Sequence, residues 1–220
     1  MHTYHVDFSV RGAERDTLDL NMPQWMPGYY QIMNYADDLK DISARDADGE
    51  ALPIIRTGSS SWQLSGTSGK DVVISYDIAT HRRFVANSYA DSAHAYILPA
   101  NTFLYPEGHL DEPAVVHIIN RDGWDQIATG LDMLPGTTNQ FYAPDYDILY
   151  DCPLLAGNLE VFPSFFVEGI EHRFMAYEPG DFESQPFMKD LKRIVQTAVD
   201  MFGEVPYESY TFIGLGKGLG

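Results

Sequence analysis

Apolar and polar residues alternate at every second position through much of this chain, and this alternation restricts its fold more than any other feature. The first run places four apolar residues on one face: Tyr4, Val6, Phe8 and Val10. Segments 18–22 and 72–78 repeat the pattern. Successive side chains of a strand point to opposite faces, so this period predicts strands with one buried face. Gly and Ser clusters at 58–61 and 66–69 mark turns between runs. The sequence therefore predicts a mainly β fold, with a β-sandwich-like domain over residues 1–178.

Two segments depart from this alternation. Residues 114–119 form an apolar run interrupted only by His117, which predicts a strand buried on both faces. Six apolar residues from Phe187 to Phe202 recur at helical spacing, and we expect their stripe to lie in the core. Ser184 is a candidate N-cap, and Gly203 follows the last turn.

The end of the chain predicts a second domain over residues 179–220. A strand at 210–213 follows the predicted helix, so a β-rich block gives way to a helix and then a strand. The turn at 178–181, Glu-Pro-Gly-Asp, is the expected hinge. The chain closes on the glycine-rich segment 214–220, which lacks the Gly-Lys-Ser/Thr of a nucleotide-binding loop.

The charge of the chain argues against several partners. With 32 acidic and 14 basic residues the net charge is −18, which disfavours binding to nucleic acid or to anionic membrane. No apolar run approaches the roughly 20 residues that span a bilayer. We expect a cytoplasmic location, or a periplasmic or secreted one if a leader has been removed. His81-Arg82-Arg83 is a basic island, and its side chains are expected to pair with neighbouring acids.

No catalytic or metal centre is apparent in the sequence. The seven histidines include no pair at i and i+4 within a helix, and Cys152 is the only cysteine. Segment 46–50, Asp-Ala-Asp-Gly-Glu, lacks calcium-loop spacing and predicts a hairpin turn. There is no G-x-S-x-G. We predict no catalytic residue, no metal ligand and no cofactor in this chain.

Three motifs stand in a fixed order along the chain. They are Pro-Gln-Trp-Met-Pro-Gly-Tyr at 23–29, Asp-Tyr-Asp-Ile-Leu-Tyr-Asp-Cys-Pro at 145–153 and Phe-Gly-Glu-Val-Pro-Tyr-Glu-Ser-Tyr at 202–210. Pro27-Gly28 predicts a bend beside which the rings of Trp25, Tyr29 and Tyr30 are buried. In the second motif, Asp147 and Asp151 could hold a turn through backbone N–H groups, or could meet another domain.

Together these motifs resemble the glycyl aminopeptidase family of zinc metallopeptidases, which often carry a PDZ domain. The resemblance implies that residues 179–220 are the first helix and strand of a thermolysin-like α+β catalytic domain. The parent would bind zinc and release N-terminal Gly or Ala residues from peptides, whereas this portion would be inactive alone. Its partners would be the remainder of the catalytic domain and, through the parent, a peptide. The alternative is a free-standing β-sandwich module that binds carbohydrate or protein.

One substrate-binding residue is implied by the resemblance. In the family an Asn precedes a Gly where this chain has Asn101-Thr102, so Asn101 is expected to recognise the substrate α-amino group. The other reading of Asn101 is a turn-stabilising residue. On the substrate hypothesis, Asn101→Ala lowers kcat/KM of the parent about ten- to a hundredfold with little effect on folding.

Overall fold

The computed structural model describes residues 2–216, and this part of the chain is mainly β, as predicted. Its strands are β1 (Thr3–Val10), β2 (Thr17–Asn21), β3 (Leu39–Asp46), β4 (Ile54–Arg56), β5 (Ser61–Ser65), β6 (Val72–Ala79), β7 (Tyr89–Ala90), β8 (His94–Ile97), β9 (Tyr105–Pro106), β10 (Ala114–His117), β11 (Gln126–Ala128), β12 (Asp132–Met133), β13 (Gln140–Ala143), β14 (Leu154–Gly157), β15 (Glu160–Val161), β16 (Phe165–Val167), β17 (Ile170–Tyr177) and β18 (Ser209–Leu215). The helices are α1 (Pro99–Thr102), α2 (Tyr146–Asp151) and α3 (Ser184–Phe202), with a 3-10 turn at Tyr35–Asp37.

A two-sheet sandwich forms the amino-terminal half. One sheet has the antiparallel order β1-β6-β3, and the other has the order β4-β5-β2-β9. Their inner faces share one core, to which β2 and β5 contribute Leu20 and Leu64, and β6 contributes Ile74 and Ile78. All four side chains are fully buried, and each burial contributes about 1.5–3 kcal/mol. The alternation at 18–22 and 72–78 therefore marks the core, as predicted.

Two further sheets extend the sandwich, in the orders β11-β14-β8-β7 and β10-β13-β12. The prediction that 114–119 is buried on both faces is wrong. Successive side chains of β10 point to opposite faces, and Val116 is buried whereas Val115 is 54% exposed, so only one face of the strand is covered. Ile119 lies beyond the end of the strand and is 85% exposed.

The last sheet contains a β-α-β unit. Strands β15 and β16 pair with β17, and β18 runs parallel to β17 after the chain crosses over through α3. Helix α3 begins at Ser184, and the N-cap position belongs to Glu183, which forms no side-chain cap bond; Ser184 is therefore not the cap. Gly203 ends the helix with φ 87°, as its place in the sequence predicts.

Only part of the apolar stripe of α3 is core. Met188 and Val195 are buried, and Leu191 packs against them in a cluster with the β15–β18 sheet. Ile194 and Phe202, which belong to the predicted stripe, are 63% and 80% exposed. Ile194 therefore lies on a side of the helix that the sheet does not cover, whereas Phe202 lies in line with buried Val195 at the last residue of the helix.

Gly214 allows β18 to lie close against β17. A Cβ at Gly214 would stand 2.8 Å from both the Cβ of Ala176 and the ring of Phe174. This glycine therefore serves strand packing, while positions 217–220 of the glycine-rich segment lie outside the described residues. Pairing of Tyr177 with Leu215 crosses the expected boundary at 178/179, and the division into domains stays a prediction. Within residues 2–216, no helix has the length and apolar character needed to cross a membrane.

Candidate substrate-recognition site around Asn101

Asn101 lies on α1, a single helical turn that follows β8. Pro99 occupies the start of this turn, where its fixed φ favours the helix and its missing N–H costs nothing. The backbone N–H of Asn101 donates to the carbonyl of Leu98 over 3.0 Å. The side chain of Asn101 is 0% exposed.

Both ends of the Asn101 amide are bonded within the chain. Oδ1 accepts from the backbone N–H of Ser88 over 2.7 Å, and Nδ2 donates to Oδ2 of Asp38 over 3.1 Å. Because one partner can only donate and the other is a carboxylate, the orientation of the amide is fixed. Asp38 is half-buried at the end of the 3-10 turn, and no ion pair to it occurs among residues 2–216.

A buried polar network surrounds this amide. The hydroxyl of Ser88 lies 2.7 Å from that of Thr102 and accepts from the backbone N–H of Leu98 over 2.9 Å. The hydroxyl of Tyr76 donates to the carbonyl of Thr102 over 3.0 Å, and burial raises the pKa of this phenol. Thr102 stands where the family resemblance leads us to expect Gly, and here its hydroxyl is part of the network.

The geometry makes Asn101 a buried neighbour of a partly exposed carboxylate. Its amide is closed off from solvent and donates to Asp38, whose side chain is partly exposed. A carboxylate accepts hydrogen bonds from an ammonium and also neutralises its charge. Contact between Asn101 and a substrate stays a prediction.

The other candidate centres are structural. Within residues 2–216, no group of three or more His, Cys, Asp or Glu side chains is arranged to hold a metal ion. Burial, with Asp151 and Asp132 nearby, raises the pKa of the Cys152 thiol to about 11. At Asp46, the carboxylate accepts from the backbone of Asp48 and Glu50 and lies 3.0 Å from Lys70 Nζ, in a hairpin turn.

The first two motifs shape turns, with two corrections. Gly28 has φ 83° in the tight turn that brings Met26 opposite Tyr29. Of the three rings expected to be buried beside this bend, Tyr29 is partly buried, but Trp25 is 44% exposed and Tyr30 is 83% exposed. In the second motif the turn is held by Asp145, whose carboxylate accepts from the backbone N–H of Ile148 over 2.7 Å, and not by Asp147 or Asp151.

The third motif is tied to a histidine that the sequence did not single out. His172 is fully buried and stacks on Phe165 with ring centroids 5.0 Å apart. Its Nδ1–H donates to the carbonyl of Ile170 over 3.0 Å, and its Nε2 therefore accepts from the Tyr207 hydroxyl over 2.9 Å. Desolvation lowers the pKa of His172. The Pro-Tyr pair of the motif was the only sequence signal for this contact.

Comparison with known protein families identifies the family of this chain. The sequence model described as the Peptidase M61 N-terminal domain matches residues 1–158. The chain belongs to the peptidase M61 family. This match bears out the expectation of a peptidase amino-terminal region, and it includes the whole network around Asn101.

Solved structures extend the M61 comparison beyond residue 158. An aminopeptidase N family protein from Idiomarina loihiensis is 27% identical, with a TM-score of 0.88 over 99% of this chain and 38% of its own. Legionella pneumophila aminopeptidase A in complex with aspartic acid is 12% identical, with a TM-score of 0.54 over 99% of this chain and 27% of its own. A mutant M1 zinc metallopeptidase from Deinococcus radiodurans, bound to a Tyr-Ser-Ala substrate, is also 12% identical, with a TM-score of 0.50 over 96% of this chain and 51% of its own.

The conclusions that these structural similarities support depend on their sequence identity. The two at 12% identity show a shared fold alone. The chain spans 38% of the length of the Idiomarina protein. No curated protein sequence matches the chain.

Proposed function

We propose that this M61 chain is the amino-terminal part of a zinc-dependent aminopeptidase that releases Gly or Ala from peptides. The observation that carries the proposal is the M61 domain at 1–158 followed by a β-α-β unit, both of which align with the aminopeptidase N family protein of Idiomarina. The three ordered motifs support the finer assignment. Zinc and its ligands would belong to the rest of the parent, since residues 2–216 offer no ligand set for it.

Hydrolysis of small substrates tests this proposal. We expect the full-length parent to release p-nitroaniline from Gly- and Ala-p-nitroanilide, and residues 1–220 alone to release none. N-acetylated substrates should be spared, because an aminopeptidase requires the free amine. A folded parent that cleaves acetylated and free-amine substrates equally well would be an endopeptidase or amidase, and the proposal would be wrong.

The exposed apolar face of α3 supports a larger parent. Ile194 and Met201 are seven residues apart and therefore lie on one side of the helix, and each is more than 60% exposed. We infer that the remainder of the catalytic domain covers this face, because contiguous exposed apolar surface on a soluble chain marks a contact. Ile194→Asp should then lower the unfolding temperature of the parent while leaving that of residues 1–220 unchanged. Equal effects in both proteins would remove this support.

The amine-recognising role predicted for Asn101 becomes, in this proposal, a role exerted through Asp38. Asn101 holds one carboxylate oxygen of Asp38, and the half-exposed carboxylate would bind the substrate α-ammonium. Losing such a charged contact costs about 1.5–3 kcal/mol, or roughly ten- to a hundredfold in kcat/KM.

Replacement of Asp38 tests this step. Asp38→Asn keeps the size of the side chain and its bond to Asn101, but removes the charge. We expect kcat/KM of the parent for free-amine substrates to fall by about that factor. Asp37→Asn, at the exposed neighbouring position, is the matched control and should change nothing. Equal kcat/KM for the Asp38 and Asp37 variants would rule out amine recognition by Asp38.

A further inference from the structure

A surface of arginines and aromatic rings lies where two loops of the sandwich meet. We call it the basic–aromatic surface, and it comprises Trp25, Tyr29, Tyr30, Arg82, Arg83 and Phe84. The rings of Tyr29 and Phe84 join the loops edge to face, 5.1 Å apart. Trp25 and Tyr30, with ring centroids 6.3 Å apart, continue the surface towards solvent.

Both arginines lie over rings and not beside acids. The guanidinium carbon of Arg82 is 4.8 Å from the ring centroid of Phe84, and that of Arg83 is 5.6 Å from that of Tyr89. The expectation that this basic island pairs with neighbouring acids is wrong, because no ion pair to Arg82 or Arg83 occurs among residues 2–216. Both arginine side chains are exposed, and the chain around them has a net charge of −18.

This arrangement leaves the arginines prepared to bind an anion. A guanidinium over a ring and outside any ion pair has N–H groups that can bond the two oxygens of a carboxylate. The ring below also restricts the side chain, so less conformational freedom is lost when an anion binds.

The loop that carries the arginines is held from beneath by buried tyrosines. The hydroxyl of Tyr35 donates to the carbonyl of Ala86 over 2.8 Å, and that of Tyr96 donates to the carbonyl of Val85 over 3.2 Å. Both tyrosines are buried. The loop is therefore fixed to the sandwich core immediately after the arginines.

We propose that the basic–aromatic surface binds a short acidic segment of a peptide. The two guanidinium groups bond its carboxylates, and the exposed rings of Trp25 and Tyr30 cover its apolar atoms. Charge complementarity selects this occupant, because the acidic remainder of the surface repels the dense charge of a nucleic acid more strongly than the few charges of a peptide. The proposal concerns binding by this chain itself and holds whether or not the parent hydrolyses the peptide.

Fluorescence anisotropy with residues 1–220 tests the proposal. The probe is a fluorescein-labelled peptide of alternating Glu and Tyr, and its partner is the same peptide with Gln in place of Glu. We expect binding of the Glu peptide that weakens with added salt, and at least tenfold weaker binding of the Gln peptide. Equal binding of the two peptides, or no binding of either, overturns the proposal.

Variants locate the binding site. Arg82→Ala with Arg83→Ala should weaken the Glu peptide at least about tenfold, since it removes two charged donors. Arg11→Ala with Arg15→Ala is the matched control: it removes the same charge from exposed positions elsewhere and should have little effect. If both double variants lost affinity for the Glu peptide to a similar extent, binding would depend only on net charge, and the proposed site would be wrong.

Two further outcomes would assign the surface to another occupant and overturn the proposal. One is tighter binding of a labelled oligothymidine than of the Glu peptide. The other is self-association of residues 1–220 in analytical ultracentrifugation that the Arg82/Arg83 double variant abolishes. Unchanged urea unfolding of that variant confirms that it tests binding and not folding.

Discussion

Replacing Asn101 by alanine should destabilise the fold far more than a surface turn residue would. The substitution leaves the backbone N–H of Ser88 buried without an acceptor, which costs about 1–3 kcal/mol. It also removes the bond to Asp38, which is partly open to water and adds about 0.5–1 kcal/mol. We expect a total loss of about 1.5–4 kcal/mol, which is larger than the little effect on folding expected from the sequence.

Urea unfolding of residues 1–220 measures this loss. With a slope of about 2 kcal/mol per molar urea, the midpoint should fall by about 1–2 M. Asn21→Ala is the matched control, because Asn21 is half-buried and accepts one bond, from the Ser61 hydroxyl over 2.6 Å. Water can replace that bond, and the loss should be about 1 kcal/mol or less. Equal midpoints for the two variants would refute the buried network as the role of Asn101.

Three further predictions concern the β-α-β unit. Gly214→Ala should lower the free energy of unfolding in urea by about 1–3 kcal/mol, because the added Cβ would clash with Ala176. Gly58→Ala, whose added Cβ meets only ordinary contacts, should lower it by less than about 0.5 kcal/mol. Equal losses would contradict the close approach of β18 to β17. The free energy of unfolding should lose its contribution from His172 as the pH falls below about 6.5, the usual pKa of histidine in an unfolded chain. Below that pH the unfolded chain binds a proton at this position, whereas buried His172, with its lowered pKa, does not. If the free energy of unfolding of His172→Gln fell equally steeply between pH 6.5 and 5, His172 would not be the cause. Amide hydrogens of α3 should exchange faster than those of β6 in residues 1–220, since one face of the helix is uncovered; equal protection in a monomer would argue against a missing partner.

Local periodicity was enough to predict several of the longer elements. Alternation identified β1, β2 and β6 because each has one buried face, and Gly203 marked the end of α3 because a left-handed C-cap favours glycine. The run at 114–119 misled because apolar content alone does not show whether one or both faces of a strand are covered by other elements.

The contacts within the candidate site depend on tertiary structure. Asn101 was singled out by resemblance, but its partners Ser88 and Asp38 lie 13 and 63 residues away and carry no local signal. The ring contacts of Arg82 and Arg83 could not be predicted either. Acidic residues are the usual partners of arginine, and only the tertiary structure shows Phe84 and Tyr89 beneath these two side chains.

Zinc reconstitution of the full-length parent tests the central proposal most directly. The parent is stripped with a chelator, and release of Gly from a Gly-p-nitroanilide substrate is followed as zinc is added back. The proposal predicts that activity is lost on stripping and recovers in proportion to zinc, reaching a plateau at one ion per chain. A folded parent that stays fully active without metal, or that binds zinc and never cleaves a free-amine substrate, would contradict it.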